Sequence, residues 1–212
     1  LLQDISKRLI TWRVKMEFNS IAISNFLSYY DTVEIDFSPL TTIFIGQNNT
    51  GKSKLFDAIN FVLYGRVFPT DKGENGDWTY DIKEIASFIL NTHKKKIALE
   101  TQEDSITTSV ELVMTENNMY VIAKRSITYK LQNNDYHYSS HIFTLNGHDK
   151  LTGNLIFAET GEGARNRLER YFSSTIKDFF LFQGEAASKI MQLQKGGNFS
   201  RAVKEIARLS IF

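Results

Sequence analysis

The 212-residue chain contains no cysteine, which excludes disulfide staples, zinc sites built on Cys and a thiol nucleophile. It also has almost no net charge: 25 basic residues stand against 24 acidic ones, so no global field draws it to nucleic acid or to a membrane surface. Any DNA contact must then be a local patch. No apolar run approaches the length of a membrane span, and no signal-peptide pattern is visible. Internal repeats and low-complexity tracts are missing too, and the four histidines lack metal-ligand spacing. What remains is 42% apolar and 13% aromatic, enough to bury a core in one domain or in a core with a small inserted subdomain. The expectation is a soluble, cytoplasmic protein.

Along the chain, "KMEFNSIAISNF" and "TVEIDF" alternate apolar and polar residues and predict two half-buried strands joined as a hairpin. "LTTIFIG" predicts a buried strand, and the spacing of Leu55, Ile59, Phe61, Val62 and Leu63 predicts a core helix that stops at Gly65. "IKEIASFILN" predicts a short helix. "SITTSVELVM" and "NMYVIAKRSITYK" predict a second hairpin, with Val110, Leu112 and Met114 on one face and Tyr120, Ile122 and Lys124 continuing the alternation. A further hairpin is expected to turn at Asn146 and Gly147. "GEGARNRLERYF" is helical in pattern, and "DFFLFQGE" is a buried strand leading to a loop. The fold class is therefore α/β, a nucleotide-binding core carrying an antiparallel β subdomain over about residues 97–150. Residues 1–15 form an extension with a helical apolar stripe, either a docking helix or a segment foreign to the domain. A similar stripe, Val203, Ile206 and Leu209, marks a helix over about residues 200–212.

The most informative stretch is "GQNNTGKS", Gly46 to Ser53, which matches G-x-x-x-x-G-K-[ST] between a predicted strand and a predicted helix. Each residue type has a reason. Gly46 permits the sharp exit from the strand, Gly51 lets the backbone approach phosphate, and successive N–H groups make an anion nest. Lys52 would neutralise the β and γ phosphates of ATP, and the Ser53 hydroxyl would reach Mg²⁺ at the positive end of the helix. The expected nucleotide contacts run from Gly46 through Gln47, Asn48, Asn49, Thr50, Gly51, Lys52 and Ser53 to Lys54. The cofactors expected are ATP and Mg²⁺.

A second Mg²⁺ ligand is usually an acid ending an apolar strand. "LIFAE", ending at Glu159, has that shape, and "FFLFQGE" has it with Gln183 in the acid's place. An amide oxygen can complete a Mg²⁺ shell or position water but cannot act as a base, so a Gln there requires an acid from elsewhere.

The order "FNSIAISNFLSYYDTVEIDFSPLTTIFIGQNNTGKSKLFDAINFVLYG", an insert, then "KDFFLFQGEAASKI" resembles the N-terminal head lobe of SMC-like ABC ATPases. SbcC-type repair ATPases, the DNA-sulfur-modification ATPase DndD and SMC-like subunits of Lamassu anti-phage systems share the pattern, which covers about Met16 to Phe212. The resemblance implies that Gln183 is the loop glutamine bridging Mg²⁺ and the γ-phosphate, with Lys52 the other catalytic residue. It implies Asn25, Phe26 and Ser28 on the adenine side, and Lys124, Arg125 and Lys130 as contacts to the DNA backbone. No LSGGQ-type signature, acid-paired Walker B strand or switch histidine is present in the chain. In the family these lie in a C-terminal lobe beyond a long coiled coil, whose base the helix at 200–212 would be, and that lobe also holds the base, not Glu185.

The implied partners are that lobe and coiled coil, a second copy forming a homodimer of heads, double-stranded DNA, and a nuclease or effector subunit. The implied activity is ATP hydrolysis only when lobe and second head complete the site, in DNA repair or in defence against foreign DNA. Two alternatives stay open. One is a RecF-like or overcoming-lysogenization-type ATPase coupled to a nuclease; the other is a self-contained kinase using "LIFAE". The runs "HKKK", His93 to Lys96, and Arg165, Arg167, Arg170 read as solvated charged faces, or as phosphate contacts.

Overall fold

The N-terminal alternation produces the hairpin that its period demands. The computed structural model describes residues 16–39, 41–47, 51–67 and 81–172; the N-terminal extension, Gln183 and the helix at 200–212 lie outside these. Strands β1 (Met16–Ser24) and β2 (Thr32–Asp36) pair antiparallel, with Ile21 opposite Ile35 and Ile23 opposite Val33. Next come α1 (Lys52–Tyr64), α2 (Ile82–Ile89), α3 (Thr92–Thr101), β3 (Ser105–Glu116), β4 (Met119–Gln132), β5 (Asp135–Asp149), β6 (Leu155–Thr160) and α4 (Gly161–Glu169). The strands form one six-stranded sheet in the order β2-β1-β3-β4-β5-β6, antiparallel at every step.

The stretch expected to be a separate β subdomain is thus continuous with the N-terminal hairpin: β3 pairs with β1 from Met16 opposite Glu116 to Ser24 opposite Ser109. One face of this sheet makes the core. Ile21, Ile23, Val110, Leu112, Met114, Val121, Ala123, Ile127 and Leu145 are buried there with Phe61 and Val62 of α1. On the other face Ser109, Glu111, Lys124, Ser126 and Thr144 are not buried. Alternating side chains separate the two faces, as the pleat requires.

Four sequence expectations change in three dimensions. The "LTTIFIG" stretch is not a buried strand: residues 41–47 carry no strand pairing among the described residues, and Ile43 and Ile45 are 75% and 93% exposed. A strand needs ladder neighbours as well as apolar residues, and none of the six strands borders this one. In β4 the inward set is Val121, Ala123 and Arg125, not Tyr120, Ile122 and Lys124. The tight turn at Asn117 and Asn118 puts Met114 opposite Val121, which fixes the parity of every later residue. α3 has no counterpart in the sequence reading, although Asn91 caps it by accepting from the Lys94 N–H at 2.9 Å.

Finally, the chain does not turn at Asn146 and Gly147. β5 passes straight through them, and the hairpin turns lie at Asn133–Asn134, both left-handed with φ 51° and 59°, and between Asp149 and Leu155. Gly147 serves close approach instead: a Cβ there would stand 2.1 Å from Cε1 of Phe157 and 2.8 Å from Sδ of Met119. Gly147→Ala should cost about 1–3 kcal/mol through overpacking, read as a lowered urea midpoint. With Phe157→Ala added, the loss should be smaller than the sum of the two single changes. Simple additivity would rule out the close approach as the reason for glycine.

Candidate functional site

Helix α1 begins at Gly51, whose φ of 93° and ψ of 0° lie in the left-handed region where a side chain is strained. No side chain caps this end, and no acid sits in its first turn. The first-turn N–H groups, which have no partner within a helix, therefore combine with the positive end of the helix dipole as an anion receptor. Lys52 folds over the loop: its Nζ donates to the carbonyl of Gly46 at 2.6 Å and also to that of Gln47. The exposed Ser53 stands beside it. A lysine and a hydroxyl beside the N–H groups of a helix start are the donors of a phosphate site, so the residues fit a nucleotide phosphate with its Mg²⁺. The neighbouring Lys54 turns its ammonium to the buried Asp57 at 3.4 Å, leaving its backbone N–H as its contribution.

The loop is gripped from the N-terminal hairpin. Tyr29 Oη donates to the Gly51 carbonyl at 3.2 Å, and a Cβ on Gly51 would come within 3.1 Å of Ser28 Oγ. The gripping segment is itself tightly wound, with Asn25, Leu27 and Asp31 at φ near +50°. Side-chain and backbone bonds hold these left-handed turns. Asn25 Oδ1 accepts from the Asp31 N–H at 3.1 Å, Asn25 Nδ2 donates to the Thr107 carbonyl at 3.2 Å, and Asn91 Nδ2 donates to the Leu27 carbonyl at 2.7 Å. Phe26 is fully buried against Phe61, with ring centroids 5.3 Å apart, so it is a core residue and not an adenine contact. Tyr29→Phe should weaken nucleotide binding about fivefold, the worth of roughly one hydrogen bond, in a titration with a fluorescent ATP analogue. Unchanged affinity would show that the phenol merely packs.

At the other end of α1, Gly65 closes the helix in the left-handed region with φ 65°, its N–H donating to the Phe61 carbonyl at 2.8 Å. Its missing side chain also leaves room for Arg125, whose Nη1 would stand 3.2 Å from a Cβ there. Arg125 is 3% exposed. It lies over the Phe143 ring at 4.0 Å, donates through Nε to the Val62 carbonyl at 3.4 Å, and contacts His141 Nε2 through Nη1 at 3.1 Å. Arginine can only donate, so His141 accepts at Nε2 and is neutral with its proton on Nδ1. Burial, with Arg165 adding, draws the Arg125 pKa down to about 9, and the group stays charged at neutral pH. For His141, burial first, then Arg125 and Arg165, lowers the pKa from 6.5 to about 4.

Between these two values the unfolded chain binds a proton on His141 that the folded chain does not. Folding stability should therefore fall as pH drops from about 6.5 to about 4. Urea midpoints across that window should fall less steeply for His141→Gln; parallel slopes would remove His141 from the effect.

A protein-family model described as an AAA domain matches residues 20–208. The chain belongs to this AAA domain family. DNA replication and repair protein RecF of Lactococcus lactis subsp. lactis strain IL1403 is 32% identical over 89 residues, covering 41% of this chain and 24% of the relative. RecF of subspecies cremoris strain MG1363 is 33% identical over 92 residues, 42% of this chain and 25% of the relative. A stretch of 49 residues, 23% of this chain, is 47% identical to urease accessory protein 2 of Cryptococcus neoformans var. grubii strain H99, and covers 4% of it. The chain thus spans about a quarter of the length of its RecF relatives. The chain thus carries an AAA domain with weak similarity to RecF.

Other residues singled out in the sequence scatter over the AAA domain. Asn48, Asn49 and Thr50 of the loop, and Gln183, lie outside the described residues. Arg125 cannot touch DNA from the core, whereas Lys124 and Lys130 face solvent from the opposite side of β4, Lys124 paired with Glu111 at 3.0 Å. The "HKKK" run lies on α3. Lys94 pairs with Glu103 at 2.9 Å, Lys95 with Asp135 at 2.6 Å and Lys96 with Glu100 at 4.0 Å, which makes it a salt-bridged face. Glu159 belongs to β6, an antiparallel edge strand on which Leu155 and Ile156 are more than half exposed. It pairs with Arg167 at 2.8 Å, an arrangement unlike a buried acid strand beside a phosphate loop. No helix among the described residues is long and apolar enough to cross a membrane. The sequence pattern gives Tyr29 as a packing residue of the core or the adenine side, without its bond to the Gly51 carbonyl. It gives no sign of His141, since the role of that residue depends on a neighbour across the sheet.

Proposed function

We propose that this AAA domain is the nucleotide-binding lobe of an SMC-like ATPase head that acts on DNA, with two heads closing around ATP. The observation that carries the reading is the phosphate-loop motif of Gly46 to Ser53, whose described ends are tied by Lys52 to the Gly46 carbonyl and by Tyr29 to the Gly51 carbonyl at the start of α1. The exposed Ile43 and Ile45, an apolar strand-like segment running straight into that loop, support a partner lobe laid against them. On this reading Lys52 neutralises the β and γ phosphates, the first-turn N–H groups of α1 orient them, and Ser53 with Gln183 holds Mg²⁺. The metal supplies charge neutralisation at the phosphoryl oxygens. The catalytic base comes from the C-terminal lobe, the signature motif from a second copy, and a coiled coil connects the two lobes. Lys124 and Lys130 reach the backbone of double-stranded DNA, and a nuclease or effector subunit uses the closure in repair or in defence against foreign DNA.

Light scattering of the full-length protein tests the central claim. The mass should double on adding ATP, with turnover rising on adding duplex DNA. A mass indifferent to ATP would overturn the reading. A second reading, a RecF-like ATPase without a long coiled coil, is favoured by the likeness to the Lactococcus RecF proteins. The hydrodynamic radius of the full-length protein separates the two, because a coiled coil extends far beyond a globular head.

A further inference from the structure

Behind the C-terminal end of α1, on the side away from the phosphate loop, a cavity of about 450 Å³ opens between α1, β4, β5 and α4. Its described lining brings together Arg66, Arg125, Arg165 and His141, with Glu169 as the single carboxylate and Leu63 on the apolar wall. Among the described residues no carboxylate pairs with Arg125 or Arg165, and Arg125 is 3% exposed. The buried guanidinium uses Nε on Val62 and Nη1 on His141, with its carbon 4.0 Å from the centre of the Phe143 ring. A desolvated arginine with a second arginine near it, and no carboxylate paired to either among the described residues, is an expensive arrangement. It becomes favourable when an anion enters and accepts from both.

We infer that this cavity is a second anion site, taking the phosphate group of a small ligand between Arg125 and Arg165. Two guanidinium forks suit the several oxygens of a phosphate, and fork geometry distinguishes such a site from a diffuse lysine patch. His141 completes the arrangement: it holds Nη1 of Arg125 through Nε2 and thereby sets the plane of the guanidinium. Burial first, with Arg165 adding, lowers both the Arg125 and the His141 pKa, which fits a cationic pocket. The cavity is larger than a bare phosphate and has an apolar wall, so either free phosphate or a nucleoside monophosphate could bring the group.

The test must separate this site from the phosphate loop. Calorimetric titration of the full-length protein carrying Lys52→Ala, with sodium phosphate and separately with AMP, removes the loop lysine as a competitor. Binding of at least one of them should persist and should weaken at least tenfold when Arg165→Gln is added. Arg165 is exposed on α4, so the fold does not depend on it. AMP binding more tightly than phosphate would identify the nucleotide as the source, and phosphate alone binding would identify the free ion. If Lys52→Ala abolishes all binding, or if Arg165→Gln leaves it unchanged, the second site does not exist.

Discussion

Lys52→Ala is expected to weaken ATP binding by roughly 30–150-fold, the equivalent of about 2–3 kcal/mol for a charge-assisted contact to phosphate. The fold should survive, because the described bonds of the ammonium go to the backbone carbonyls of Gly46 and Gln47 and not into the core. The loss should be read by titration with a fluorescent ATP analogue, with circular dichroism as the control. ATP-dependent dimerisation of the full-length protein should disappear with it, since a head that holds no nucleotide offers nothing for its partner to close upon. If affinity is retained, the loop of Gly46 to Ser53 is not the nucleotide site, and the functional reading falls with it.

Phe61→Ala should have the largest effect on stability, about 3–5 kcal/mol, because it empties a fully buried aromatic site in the last turn of α1. In thermal melts this corresponds to a drop on the order of 10 °C for a domain of this size. The ring touches Phe26 at 5.3 Å between centroids and lies 5.9 Å from the Arg125 guanidinium. Its removal therefore loosens both the clamp over the phosphate loop and the floor of the cationic cavity. Nucleotide affinity should fall together with stability, and saturating ATP should restore part of the melting temperature by mass action. A drop below about 1 kcal/mol would mean that α1 collapses into the void and that the core around it is softer than its packing indicates.

Much of this was legible before any coordinates. Spacing alone identified the phosphate loop, because an anion nest at a helix start requires glycine, lysine and a hydroxyl at set intervals, all local to the chain. Alternation alone located β1, β2, β3 and β4, and the pattern of Leu55 to Leu63 located α1, since period and burial are coupled within one element. Contacts between elements were beyond such reading. Whether Arg125 faces DNA or the core depends on one residue of parity at the Asn117–Asn118 turn, and that turn fixes it only through pairing with β3. Gly147 reads as a turn residue until β6 lays Phe157 across it. The lysines of "HKKK" read as a solvated charged face or as phosphate contacts until the fold brings Glu103 and Asp135 to them. "LTTIFIG" reads as a core strand, yet burial belongs to the neighbours of a segment and not to its own apolarity. The sequence by itself determined where the phosphate-loop motif stands, at the start of α1. Only the tertiary structure decided which side chains grip that loop and which lie uncompensated behind its helix, because the partners come from strands and loops far away along the chain.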